Sequence, residues 1–139
     1  MTDAPLVLHK LARLREYVAL ARRRRPATAD EMGRDEDRRD ALALAVLVAV
    51  QEAVDVAYHI ASDEGWGTPD SHAASFAALA AHAVVTSEMA TELAGITRVR
   101  NRIAHGYAST DHQRLWAELP RGLDVLEGFA TAVARWLPS

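Results

Sequence analysis

The segment "ALALAVLVAVQEAVDVAYHIASDE", residues 41–64, decides the fold. From Ala41 to Val50 every position is apolar. On a helix such a run offers no polar face to water, so it must be buried on several sides, by its own fold or by a second subunit. It is bounded by Asp40 and Gln51, well short of the roughly 20 apolar residues that a membrane-spanning helix needs. Beyond Val50 the pattern becomes selective. Gln51, Asp55, His59 and Ser62 recur at spacings of three or four, which puts one polar stripe on an otherwise apolar helix. The stretch from about Glu36 to Glu64 therefore predicts one long helix, with Asp35 or Asp37 as its N-cap.

The flanking chain is helical too. Leu8, Leu11, Leu14, Val18 and Ala21 predict a helix from about Leu6 to Arg25, stopped by Pro26. Arg22 to Arg25 fall in its last turn, where cations suit the helix dipole; the run is either a solvated helix end or a phosphate-attracting patch. "PATADEMGRDEDRRD", which follows, is polar, lacks an apolar period and reads as a loop. "GWGTPDS" breaks the chain, and a helix starting near Pro69 or Asp70 covers "SHAASFAALAAHA". Thr86 or Ser87 caps another, with Met89, Leu93, Ile96, Val99 and Ile103 as its buried face and Gly106 as a terminator. Asp111 opens the last, with Leu115, Leu119, Leu123, Leu126, Phe129, Val133 and Leu137 inward and Pro120 expected to kink or interrupt it. With no strand-like alternation and no repeat, the expectation is an all-α, single-domain bundle of about five helices over residues 1–139.

Composition agrees. Half of the 139 residues are hydrophobic, a quarter are charged, and glycine and proline are few. A net charge of −3 means that any nucleic-acid role needs a local basic patch. The absence of cysteine excludes disulfides, thiolate nucleophiles and cysteine-bound zinc. His9, His72, His82 and His112 lack metal-ligand spacing, and neither a metal nor a cofactor is expected. Trp66, Trp116 and Trp136 read as packing residues. "MTDAPLVLHK" has no secretion-signal pattern, so a cytoplasmic protein without a membrane role is expected.

Chemistry concentrates in "RVRNRIAHGY", residues 98–107. A histidine titrates near neutral pH and can move the proton of a ribose 2′-hydroxyl or of a leaving oxygen. An arginine can hold phosphate oxygens and the negative charge that grows on them in the transition state. Asn101 could orient His105 or the phosphate, and Tyr107 could bind a base or another phosphate oxygen. On one continuous helix Arg98 and Arg102 share a face, as do Arg102 and His105, whereas Arg100 and His105 lie about 140° apart. Arg100 and His105 meet only if the helix ends or bends between them, or if a second subunit supplies another copy.

"RNRIAHGY" resembles the signature of the HEPN superfamily, in its HepT toxin branch: an arginine, a polar residue, three positions, a histidine, one position and a tyrosine. These fall on Arg100, Asn101, His105 and Tyr107. The spacing rule would also admit Arg98, but the adjacent Asn101 makes Arg100 the better match. "QEAVDVAYHIASDEGWGTPDS", "SFAALA" and "ITRVRN" resemble the family's preceding helices, so the likeness is clearest from about residue 41 to 139. One departure is "AAHAVV", where a glycine is expected in the turn between helices.

The resemblance implies a homodimeric helical bundle that brings two copies of the motif into one cleft. It further implies a metal-independent endoribonuclease acting as the toxin of a type VII-like toxin–antitoxin pair, with Arg100 and His105 catalytic. The implied partner is a nucleotidyltransferase antitoxin of the MNT type, which neutralises the toxin by AMPylation of the motif tyrosine, here Tyr107. An anionic group two residues from His105 would block RNA physically and electrostatically. The alternative is a non-catalytic HEPN module that binds a nucleotide or a nucleotidyltransferase. The stripe of Gln51, Asp55 and His59 is either a set of polar groups bonded to neighbouring helices or a supporting shell that orients Arg100 or His105, with Asp55 the first choice.

Overall fold

The computed structural model describes residues 1–104 and 112–138. These form six helices: α1 (Ala4–Arg24), α2 (Ala29–Arg34), α3 (Glu36–Asp63), α4 (His72–Ala81), α5 (Ser87–Ala104) and α6 (His112–Trp136). No strand occurs among the described residues. The apolar segment forms α3, capped by the Asp35 carboxylate, which accepts from the Arg38 N–H at 3.0 Å. α3 touches all five other helices and shares its largest interface with α1. By length and composition α3 alone among these helices could cross a membrane, but half of its most apolar stretch is buried inside the bundle. Leu42, Val46, Val50, Val54 and Ile60 are almost wholly buried, in a core to which all six helices contribute. The inward residues expected of α6, from Leu115 to Leu137, are all buried.

One helix is more than the sequence predicts. The stretch taken as a loop after Pro26 contains α2. Six residues are too few to show an apolar period, and its single anchor, Met32, is fully buried. The signals that make it are local. Thr28 accepts from the Glu31 N–H at 3.2 Å, and Asp30 and Glu31 occupy the first turn, where acids suit the dipole. Arg39 donates from one Nη1 to the carbonyls of Met32 and Gly33, both at 3.1 Å, and satisfies the other end.

The arginine run at the end of α1 does not act as a unit: Arg23 is exposed, and the other three are tied to carboxylates or carbonyls. Arg22 pairs with Glu127 at 2.7 Å and Asp124 at 2.8 Å on α6. Arg24 donates to the Ala41 carbonyl at 2.9 Å. Arg25 donates from Nε at 3.1 Å and Nη2 at 2.9 Å to one acceptor, the carbonyl of Trp116.

That last contact explains why α6 runs through Pro120 without interruption. A proline inside a helix has no N–H for the carbonyl four residues earlier, which here is Trp116. Arg25 supplies the missing donor. Its guanidinium also lies over the Trp116 ring, 4.0 Å from the centroid, and the Trp116 indole N–H donates to the Pro26 carbonyl at 2.8 Å. The expected break is thus repaired from another helix. Hydrogen bonds to charged groups contribute about 1.5–3 kcal/mol. Arg25→Ala should therefore destabilise the protein by about 2 kcal/mol, and by distinctly less in a Pro120→Ala background, where α6 can bond the carbonyl itself. Chemical denaturation of the four proteins of this cycle measures the difference.

Two helices end in the same motif with different residues. After α3, Gly65 sits at φ 75°, with the Trp66 N–H on the Ala61 carbonyl at 2.8 Å and the Gly65 N–H on the Ser62 carbonyl at 3.1 Å. After α4, Ala83 sits at φ 61°, with the Val84 N–H on the Leu79 carbonyl at 2.9 Å and the Ala83 N–H on the Ala80 carbonyl at 3.1 Å. Both are Schellman endings, and their left-handed position favours glycine. This is the turn where the sequence departs from the expected glycine. Relief of left-handed strain is about 1–2 kcal/mol per residue, offset by about 0.4–1 kcal/mol of extra unfolded-state entropy. Ala83→Gly should therefore raise the melting temperature by a few degrees, read by calorimetry.

Candidate functional site at the end of α5

α5 carries three arginines in its last two turns, and its helical phase sends them to different sides. Arg100 is half-buried. Its Nη1 donates to Asn101 Oδ1 at 3.2 Å, while its Nε is buried with no hydrogen-bond partner among the described residues. An unsatisfied buried donor costs about 1–3 kcal/mol, and more when charged. Active and binding sites are where such a cost is tolerated, because an anionic ligand removes it. Asn101 itself is exposed. His105 and Tyr107 lie outside the described residues, as does the point beyond Ala104 where the chain must turn if Arg100 and His105 are to meet.

Arg98 and Arg102 take the opposite part of the helix surface. They line a groove of about 420 Å³ between α5 and α6, with Val46 of α3 contributing from below. Its floor is apolar, from Ile96, Val99, Leu119 and Leu123. Glu118 bridges its mouth, accepting from Arg102 at 3.3 Å and from Arg114 at 2.7 Å. Further along, Arg121 donates to Glu92 at 2.6 Å. The Glu92 hydrogen bond, helped by its charge, pushes the Arg121 pKa above the ordinary arginine value. Gly122 faces Ile96 across this interface, where an added Cβ would stand in ordinary contact, 3.7 Å from Cγ1. Sequence reasoning singled out Arg98 and Arg102 and missed Arg114 and Glu118. The Arg114–Glu118 spacing of four on α6 was a visible signal, but nothing in the chain tied it to Arg102.

The polar stripe of α3 faces α1. Gln51 Nε2 donates to Asp55 Oδ1 at 2.8 Å, and Lys10 Nζ lies 3.5 Å from Asp55 Oδ2. Glu52 lies 3.2 Å from Arg13. Among the described residues, then, Asp55 is bonded to its own helix and to α1. His59 lines a small recess with Asp55, Tyr58 and Ser62. The tryptophans pack as expected. Trp66 stacks on His82 at 3.8 Å between centroids and meets Trp136 edge-on at 6.0 Å. No cluster of three metal-ligating side chains occurs among the described residues.

A profile of the family described as ribonuclease HepT-like matches residues 7–133. A comparison with curated proteins finds no match. Among solved structures, the tri-AMPylated HEPN toxin of Shewanella oneidensis in complex with MNT antitoxin superposes with a TM-score of 0.85 at 20% identity, covering 97% of this chain and 99% of that one. A mutant MntA–HepT toxin–antitoxin structure gives a TM-score of 0.85 at 19% identity over 94% of this chain and 98% of its own. A toxin–antitoxin structure with AMP-PNP gives 0.86 at 18% identity, over the same shares of the two chains. At these identities the superpositions speak for the all-α HEPN fold. The profile match spans nearly the whole chain, and on it this protein belongs to the ribonuclease HepT-like family.

Proposed function

We propose that this protein is a toxin ribonuclease that cleaves RNA without a metal, with Arg100 and His105 catalytic and Asn101 and Tyr107 in support. The observation that carries the reading is the intact Arg100–Asn101 and His105–Tyr107 spacing in a chain of a ribonuclease family. The buried Nε of Arg100, unpartnered among the described residues, adds to it as a donor that an anion could satisfy. In the reaction the 2′-oxygen attacks the adjacent phosphorus. The O2′–P bond forms, the P–O5′ bond breaks, and one imidazole takes the 2′ proton while a second gives a proton to the leaving 5′ oxygen. Arg100 stabilises the extra negative charge on the phosphorane oxygens.

Two proton-transfer groups and one His105 per chain require a second copy. A homodimer supplies it through a two-fold axis. Support comes from α3, whose surface leaves Leu44 57% exposed beside the half-buried Leu47 and Val48. This apolar stripe is suited to a twin copy. The antitoxin of this reading is an MNT-type nucleotidyltransferase, as in the S. oneidensis complex. In the proposed modification, the Tyr107 oxygen attacks the α-phosphorus of ATP, pyrophosphate leaves, and the AMP left behind repels the RNA backbone. The action is proposed to be cytoplasmic, where substrate and antitoxin meet.

In EDTA, the purified dimer should cleave RNA. His105→Ala should lose about 10²–10⁴-fold of the rate, the range of general acid–base catalysis. Arg100→Ala should lose about 10²–10³-fold, as for a lost oxyanion donor. Neither variant should melt below the wild type, and Arg100→Ala, which removes a buried unsatisfied donor, should melt at or above it. Leu44→Arg should be monomeric by analytical ultracentrifugation and equally inactive. RNA left intact by the wild-type dimer, with tight nucleotide binding, would instead favour the non-catalytic module.

A further inference from the structure

The groove between α5 and α6 is chemically unlike the motif side of α5. Its rim carries Arg98, Arg102, Arg114 and Arg121 against two acids, Glu92 and Glu118, so it is locally basic in a chain of net charge −3. The guanidinium groups differ in commitment. Arg121 is held by Glu92 at 2.6 Å. Arg114 is held by Glu118 at 2.7 Å, which leaves Arg102 the longer contact with the same carboxylate, 3.3 Å. Arg98 is exposed and makes no hydrogen bond or ion pair among the described residues. The apolar floor, Ile96, Val99 and Leu119, lies directly beneath. At about 420 Å³ the groove falls within the roughly 300–1,000 Å³ of small-ligand sites.

We infer that this groove binds single-stranded RNA beside the cleavage site, with Arg98 and Arg102 on backbone phosphates, a base against the apolar floor, and Glu118 as a competitor that phosphate displaces from Arg102. The inference rests on the ribonuclease reading and names where its substrate lies. Charge complementarity selects the occupant. Arginine presents planar, forked donors that match phosphate and also stack on bases. A rim built of arginine over an aliphatic floor suits a strand that alternates phosphate and base. The groove lining reaches Arg102 in the last turn of α5, next to Asn101 in sequence but on the other side of the helix, and on this proposal the strand continues around α5 to the motif. Arg98, which the motif spacing alone would admit as the catalytic arginine, is on this account a binding residue. Glu118 keeps the groove from holding phosphate indiscriminately, because Arg102 must exchange one anion for another.

The test uses the full chain and a fluorescein-labelled 12-nucleotide 2′-O-methyl RNA, which cannot be cleaved, in an anisotropy titration from 50 to 300 mM salt. Each phosphate contact on a single strand contributes a slope of roughly −0.7 to the logarithmic salt dependence. Arg98→Ala combined with Arg102→Ala should weaken binding about ten-fold and flatten the slope by roughly 1.4, the loss of two such contacts. Arg98→Ala alone, at an exposed position that leaves folding intact, should give about half that flattening. Glu118→Gln should act in the opposite direction and tighten binding several-fold, a sign that mere damage to the fold cannot produce. Unchanged affinity and slope in the arginine variants, weaker binding by Glu118→Gln, or no RNA binding by the wild type would overturn the inference. So would loss of nucleotidyltransferase binding by the arginine variants with RNA binding intact. Wild-type protein that binds with this salt dependence yet leaves cleavable RNA whole supports the groove and refutes the nuclease. Normal cleavage with unaltered variant affinities does the reverse.

Discussion

The structure depends on the need to cover α3. A helix that is apolar around most of its circumference cannot lie on a surface, and here five other helices close around it. α1 takes the longest side, and the ion pairs of Lys10 and Arg13 with Asp55 and Glu52 fix its register along the polar end of the same interface. Lys10 and Glu52 are largely buried, so the desolvation of these charges offsets much of their attraction, and the pairs align the helices more than they hold them. The holding force is burial. The cover is still incomplete at Leu44, an apolar position that the proposed dimer would bury.

The ends of the bundle are set by backbone groups that need partners. The Trp116 carbonyl, orphaned by Pro120, draws Arg25 across from α1, and the indole of Trp116 answers with the Pro26 carbonyl. The tie joins the end of α1 to the first turns of α6, and Gly33 of α2 lies beside His112 there. It thereby steadies the N-terminal turns of α6, which supply Arg114 and Glu118 to the groove. A proline that reads as a flaw in one helix becomes an attachment point between two.

Much of this was legible in the sequence because long helices repeat their signal. The inward face of α6 appears residue by residue in its leucines and valines, and that of α1 does from Leu11 onward, whereas Leu8 is half exposed and Val7 takes its place in the core; Asp35 announces the start of α3. What was hidden depends on partners far apart in the chain or on too few residues. α2 has one buried side chain and no room for a period. The repair of Pro120 comes from a residue 91 positions from the acceptor. The left-handed turn at Ala83 was signalled by a missing glycine, and the backbone takes that conformation regardless. At the site, type and spacing picked out Arg100 and Asn101, whereas the division of α5 between a motif side and a groove side needed α6 in place. Asp55 reads in the sequence either as a support for the motif or as a group bonded to neighbouring helices; its contacts with Gln51 and Lys10 are in place, and His105 lies outside the described residues.

The central claim is the chemistry at the end of α5, in which a ribose hydroxyl is the nucleophile and imidazole moves the protons. The product termini test it most directly. RNA digested by the wild-type dimer in EDTA should carry 2′,3′-cyclic phosphate or 3′-phosphate on one fragment and a 5′-hydroxyl on the other, as mass spectrometry resolves. Fragments ending in 3′-hydroxyl and 5′-phosphate would mean that water or a metal-bound hydroxide attacked instead, and would contradict the account.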